Sequence, residues 1–199
     1  MVLYRFLLFA WALLFGLLAA WNAAEAGPPT EQLRPAIERV VKVLEDPALK
    51  SESRAAERKQ AVREAAETTF DWPEMARRAL GQHWPKLAEP ERQEFVGLFR
   101  TLLEKGYVSK IDRYSGEKVV YAGETIDGDM ATVKTKIMSR QGQEIPVEYR
   151  MIKRGDKWLV YDVIVEGVGL VSNYRTQFNE IIRTSSYQDL LKRLRSQTS

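Results

Sequence analysis

Apolar residues recur at helical spacing through the first half of this chain and at strand spacing through much of the second. After Pro28-Pro29, read as an extended lead-in, Leu33, Ile37, Val40, Val41 and Leu44 share one side of a helix that Asp46-Pro47 ends. A second helix, about 53–69, has only a thin apolar side (Ala55, Val62, Ala65, Ala66), which predicts an outer position. Asp71-Trp72-Pro73-Glu74 then carries the signature of a helix start. Asp71 can cap free backbone N–H groups, Pro73 suits the first turn, and Glu74 can reach back. Met75, Ala76, Ala79 and Leu80 follow until Gly81 stops the helix. From about Glu89 comes the strongest stripe: Phe95, Leu98, Phe99, Leu102, Leu103 and Tyr107.

From Lys118 the apolar period shortens to two. Strands are predicted over 119–126, 130–140, 144–154 and 157–166, with Asp127-Gly128-Asp129, Gln141-Gly142-Gln143 and Gly155-Asp156 between them. Links this short join neighbours as antiparallel hairpins. In the third strand Ile145, Val147, Tyr149 and Met151 share a face, and Pro146, which lacks a donor, argues for an edge or a bulge. The fourth strand is apolar on both faces apart from Asp162, so it should be the most buried. Past Gly167 and Gly169 the pattern is helical again, with Tyr174, Phe178, Ile181 and Ile182 on one side, and an amphipathic segment over 187–194 closes the chain. Helices, a four-stranded meander, then helices, without strand–helix–strand alternation, is an α+β order.

The first 26 residues differ from the rest. Arg5 gives a short positive segment, 6–20 is uncharged and apolar, and Ala24-Glu25-Ala26 supplies the small residues of a cleavage site, with the cut expected between Ala26 and Gly27. The alternative is an uncleaved anchor over 6–21.

Composition narrows the chemistry. The chain has 199 residues, 45% hydrophobic and 29% charged, with a formal net charge of +3. Absence of cysteine excludes disulfides, thiolate metal sites and cysteine nucleophiles. A lone histidine, His83, leaves little room for histidine-based catalysis or metal binding. Acidic and basic residues are well mixed, which is not the footprint of a nucleic-acid binder. There is no phosphate loop, nucleophile elbow or zinc-ligand pair. Asp127-Gly128-Asp129 is the nearest thing to a cation site, but a hairpin turn accounts for it. Two readings are open for Asp162: a carboxylate raised in pKa among apolar neighbours and acting as general base, or a paired group facing an arginine or a helix N-terminus.

Several segments resemble the MlaC family of periplasmic phospholipid shuttles, also described as toluene-tolerance auxiliary components of an ABC transporter. They are Phe70-Asp71-Trp72-Pro73-Glu74-Met75-Ala76-Arg77-Arg78-Ala79-Leu80-Gly81, Trp84, and Gln93-Glu94-Phe95 through Phe99. Ile145-Pro146-Val147-Glu148-Tyr149-Arg150-Met151 and Trp158-Leu159-Val160-Tyr161-Asp162-Val163 continue the series. Glu166-Gly167-Val168-Gly169-Leu170-Val171-Ser172-Asn173-Tyr174-Arg175-Thr176-Gln177-Phe178 is the most specific block. Trp72 stands where the family usually has phenylalanine, and Gly169 where serine is common.

The resemblance implies a nuclear-transport-factor-like roll, a curved antiparallel sheet and helices enclosing an apolar cavity. Residues 1–26 would be a cleavable signal peptide and 27–199 a single lipid-binding domain, with its helical part at 30–115, its sheet at 118–166 and C-terminal helices at 170–196. The expected activity is carriage rather than catalysis. A monomer in the periplasm would take phospholipid between an outer-membrane lipoprotein–porin complex and an inner-membrane ABC transporter with its periplasmic substrate-binding subunit. That would maintain outer-membrane lipid asymmetry, with no cofactor, metal or nucleic acid involved. The residues expected to line the acyl chains are the sheet face Val147, Tyr149, Met151, Tyr161 and Val163, and the facing helix positions Met75, Phe99, Leu103 and Tyr107. Tyr174, Arg175 and Phe178 are singled out by the last block, with Arg175 either paired to Asp162 or near a headgroup. The competing classes are a small-molecule enzyme with Asp162 as base and an adaptor with a filled core.

Overall fold

In the computed structural model, which describes residues 26–108 and 114–198, the first helix begins earlier than its stripe suggested. Helix α1 spans Pro28–Glu45. Pro28 and Pro29 are its first turn, not an extended lead-in, because a proline there forgoes only an N–H that has no helical partner. The expected leader lies outside the described residues, apart from Ala26. Glu124 of the sheet accepts the Thr30 N–H at 2.8 Å and the Thr30 hydroxyl, tying the start of α1 to the first strand. Gln32 adds a second tie: its amide oxygen accepts the Trp158 N–H at 2.8 Å and its nitrogen donates to the Asp156 carbonyl at 3.0 Å.

Helix α2 (Ala55–Ala66) lies on the outside against α1 and α4. Helix α3 (Trp72–Leu80) opens as predicted, with the Glu74 N–H donating to Asp71 at 3.0 Å. Glu74 does not reach back to the cap. Its buried carboxylate instead accepts Arg77 and Arg78, each at 2.7 Å. Burial raises its pKa, but these two guanidinium partners outweigh burial and hold it below the usual carboxylate range. Asp71 also accepts Arg154 at 2.9 Å, and its N–H donates to the Val160 carbonyl at 2.9 Å, so α3 is fastened to the sheet. Gly81 ends the helix at φ +52, a conformation that favours glycine. Helices α4 (Glu89–Val108), α5 (Leu170–Thr184) and α6 (Tyr187–Thr198) complete the helical layer.

The sheet is antiparallel throughout: β1 (Lys118–Asp127), β2 (Met130–Met138), β3 (Glu144–Arg154) and β4 (Lys157–Val165) form the expected meander. A short fifth strand, β5 (Val168–Gly169), returns to pair with β4 and leads into α5. The Asp127–Asp129 segment is a hairpin turn, with Gly128 at φ +55. Pro146 is neither at an edge nor in a ladder bulge. It sits near the start of β3, a middle strand, opposite Lys136. Its carbonyl accepts the Glu166 N–H at 3.0 Å, just where Glu166 turns away at φ +51, so its missing donor falls where the ladder with β4 runs out.

A bulge between Arg150 and Met151 of β3 changes the meaning of β4. Asp162 pairs with Arg150 and Val160 with Met151, leaving Tyr161 as the extra residue between them. Simple alternation would put Tyr161 beside Val163. The inserted residue sends it to the opposite face, where it joins the helical core, while Val160 takes the place facing α1.

Asp162, 4% exposed, is resolved by the same geometry. Its Oδ1 accepts the Val171 N–H in the first turn of α5 and the Val163 N–H, both at 2.9 Å. That is the paired alternative: a carboxylate at a helix N-terminus, engaged by backbone donors. Asp162→Ala strands two donors, one of them buried. It should lower the unfolding free energy by about 1–3 kcal/mol, read as a shift in the urea midpoint at unchanged slope.

Candidate functional site

The register carries one mostly apolar face across β1 to β4. One cross-strand row is Tyr121, Thr135, Val147 and Val165; the next is Glu124, Val133, Tyr149 and Val163; a third is Ile126, Ala131, Met151 and Val160. Helix α1 covers one end of this face. Leu33, 1% exposed, packs with Ala131, Val133, Met151, Trp158 and Val160. Beyond Ala36 the same helical stripe, Ile37, Val40, Val41 and Leu44, is only half-buried. Between it and β1 lies an open groove of about 730 Å³. Ile37, Val41, Val119 and Tyr121 give the groove its apolar lining, and charges of both signs, among them Arg34, Glu38, Lys42, Glu117 and Lys118, surround them.

Tyr149 and Val163 sit mid-face, with Val133 and Val147 fully buried beside them, yet both keep accessible surface. Both pack against the core under α1 and are partly buried there. Burial still pushes the Tyr149 phenol up to about 12, and the nearby Tyr121 phenol adds to the rise. Tyr121 is also raised, by burial first and by Glu38, against the opposing pull of Arg34. The Arg34 guanidinium stands 4.0 Å from the Tyr121 ring centre. The Tyr121 hydroxyl is buried without a hydrogen-bond partner. Thr135, its cross-strand neighbour, is already satisfied through the Val147 carbonyl at 3.0 Å.

The residues expected to line acyl chains are not brought together. Val147, Tyr149, Met151 and Val163 share the face toward α1. Met75, Phe99, Leu103, Tyr161 and Phe178, with Tyr174 against them, lie in a separate core built from α3 to α6. Rings interlock there: Phe95 and Phe99 stack at 5.8 Å, Phe178 meets them edge-on at 5.7 and 5.5 Å, and Tyr174 meets Phe99 at 5.3 Å. Such contacts fill space. Arg78 covers the Tyr161 ring at 3.9 Å. Arg175 is exposed and, among the described residues, forms no ion pair with Asp162; its Nε donates to the Arg78 carbonyl at 2.8 Å, closing the end of α3. Tyr107 belongs to α4, but its side chain lies outside the described residues. His83, past the end of α3, lies 3.0 Å from the Asn179 side-chain oxygen of α5.

Sequence reasoning missed Leu33, Ile37, Val119, Tyr121 and Val160 as members of this face. The α1 stripe and the alternation in β1 were both visible, but nothing local to either segment says that they meet.

The MlaC protein family model matches residues 34–196. The intermembrane phospholipid transport system binding protein MlaC of Haemophilus influenzae is 22% identical over 127 residues, 61% of this chain and 59% of that protein. The toluene tolerance protein ttg2D of Pseudomonas putida is 28% identical over 102 residues, 50% of this chain and 47% of that protein. The chain thus spans about half the length of the curated relatives it matches. Among solved structures, a phospholipid-binding protein from Ralstonia solanacearum, in complex with a phospholipid, superposes with a TM-score of 0.73 at 21% identity. The superposition covers 84% of this chain and 95% of that one, which establishes the shared fold.

The Tyr149 phenol provides a check on the site's burial. Its folded pKa near 12 stands above the ordinary 10.0, so the fold favours the protonated form. The associated stability is fully present below about pH 10 and is lost as pH rises toward 12. Tyr114 and Tyr187 are also pushed up to about 12, so Tyr149→Phe should remove one late-ionising phenol from the ultraviolet tyrosinate titration and lessen the alkaline loss of stability.

Proposed function

Because the chain belongs to the MlaC family, we propose that it carries a phospholipid, its acyl chains lodged between α1 and the apolar sheet face and its headgroup toward solvent. One observation carries this reading: the sheet face under α1 leaves Tyr149 and Val163 only partly buried, and it meets an open groove with an apolar floor beside Tyr121. The engagement of Asp162 with two backbone donors supports carriage over proton abstraction, because a general base must face a substrate.

The energetics suit a carrier. A buried methylene is worth about 0.8 kcal/mol, so a diacyl lipid with roughly 30 of them gains on the order of 20 kcal/mol on leaving water. Unaided transfer across an aqueous space is then negligible, and release needs a partner that opens the site or offers an equally apolar one. In this reading the first 26 residues direct export and are removed, and the carrier works in the periplasm between an outer-membrane lipoprotein–porin complex and an inner-membrane ABC transporter. Headgroup selectivity is weak, since the groove's charges have both signs.

The test is mass spectrometry of the exported protein, purified without detergent, under native and denaturing conditions. A diacyl phospholipid mass at one per chain, lost on denaturation, is the expected result; a clean unliganded mass with no lipid in an organic extract would sink the proposal. Position can be tested alongside. Val163→Glu puts a charge against the proposed chains and should cut lipid load at least tenfold. Phe99→Ala should lower stability by about 3–5 kcal/mol, while the folded fraction stays loaded.

A further inference from the structure

We infer that Tyr121, with Tyr149 beside it, forms a hydrogen-bonding subsite for the ester carbonyl of a diacyl lipid, so that the site prefers ester-linked to ether-linked chains. This rests on the carrier reading above and adds to it a chemical preference within the lipid.

The starting point is an unmet donor. The Tyr121 hydroxyl is buried and has no partner. A buried hydroxyl left so costs free energy, and the cost disappears if the cargo brings an acceptor. The position is suitable. Tyr121 belongs to the groove lining, among charged residues, and to the apolar row that continues through Thr135 to Val147. It therefore stands where the surroundings pass from polar to apolar. In a diacyl lipid with its headgroup in water, the ester groups occupy the same boundary.

Arg34 and Glu38 act on Tyr121 with opposite signs, Arg34 the more strongly, and the Arg34 guanidinium lies over the ring, 4.0 Å from its centre. A neutral carbonyl accepts the phenol hydrogen without needing a compensating charge at the hydroxyl. Both phenols are held in the protonated, donating form by burial. Thr135 offers no competing donor, since its hydroxyl is taken by the Val147 carbonyl. An ether oxygen is a weaker acceptor than a carbonyl and is flanked by methylenes on both sides.

Competition reads this preference directly. Vesicles containing equal amounts of a diester phosphatidylglycerol and its dialkyl ether analogue, with matched chain lengths, are offered to the delipidated full chain. The bound lipids are then quantified by mass spectrometry. Because both lipids compete in one sample, the ratio does not depend on how much is loaded. The expected result is about fivefold enrichment of the ester in the native protein, the factor that one neutral hydrogen bond supplies. In Tyr121→Phe the ratio falls to about one, and in Tyr187→Phe, a phenol of the other core, it stays at the native value. A native ratio of one, or enrichment retained in Tyr121→Phe, overturns the subsite while leaving lipid carriage intact. If neither lipid binds the native chain, the carrier reading itself fails and the subsite falls with it.

Discussion

Strand β4 has to serve two apolar cores, and strict alternation would give each core every second residue regardless of what each needs. The bulge at Tyr161 releases that constraint. On one side of it, Val163 and Val165 face α1 in step with Val147 and Tyr149; on the other, Val160 and Trp158 keep to that same face. The extra residue gives Tyr161 to the helical core together with Arg78 above it. Asp162, next in the chain, is thereby aimed at the first turn of α5. The placement of the last helices, and the separation of a packed core from a thinly covered face, both follow from this one insertion.

The two cores differ in how they are filled. The helical one is closed by aromatic rings in mutual contact and by leucines of α6, with Leu190, Leu191 and Leu194 all at 1–2% exposure. Its rings pack against one another at centroid distances of 5.3–5.8 Å. The face under α1 is held differently. Polar ties fix the helix at its first turns, through Thr30 to Glu124 and through Gln32 to the β3–β4 hairpin, while its later apolar residues stay half-buried. A helix secured by hydrogen bonds at one end need not be pulled down by hydrophobic contact along its whole length, so an unfilled face and a stable fold are compatible.

Polar groups mark where that face ends. Thr135 and Tyr121 share a cross-strand row but differ in state, one hydroxyl satisfied by backbone and the other buried without a partner. Buried polar groups are normally paired, so an unpaired one in a native fold calls for an explanation. Its location at the join of groove and sheet is what the proposed contact with an ester carbonyl rests on.

Local pattern was enough to determine the helices, the hairpins, the cap at Asp71 and the burial of β4. Each of these depends on backbone donors, turn geometry and amphipathic period within a few residues. The limits held to within a residue or two for most strands, and the family blocks pointed to the shared fold. What only the tertiary structure decided is which apolar surface meets which. Period-two alternation cannot reveal a bulge that depends on a partner strand, so Tyr161 was assigned to the wrong face. A helical stripe states that a face is buried, not by what, so Met75, Phe99, Leu103 and Phe178 read as facing Val147 and Tyr149 when the structure gathers them in a separate cluster. Leu33 and Tyr121, far apart in the chain, came onto one surface only because β1 and α1 flank the same sheet, and hydrophobicity alone carries no address.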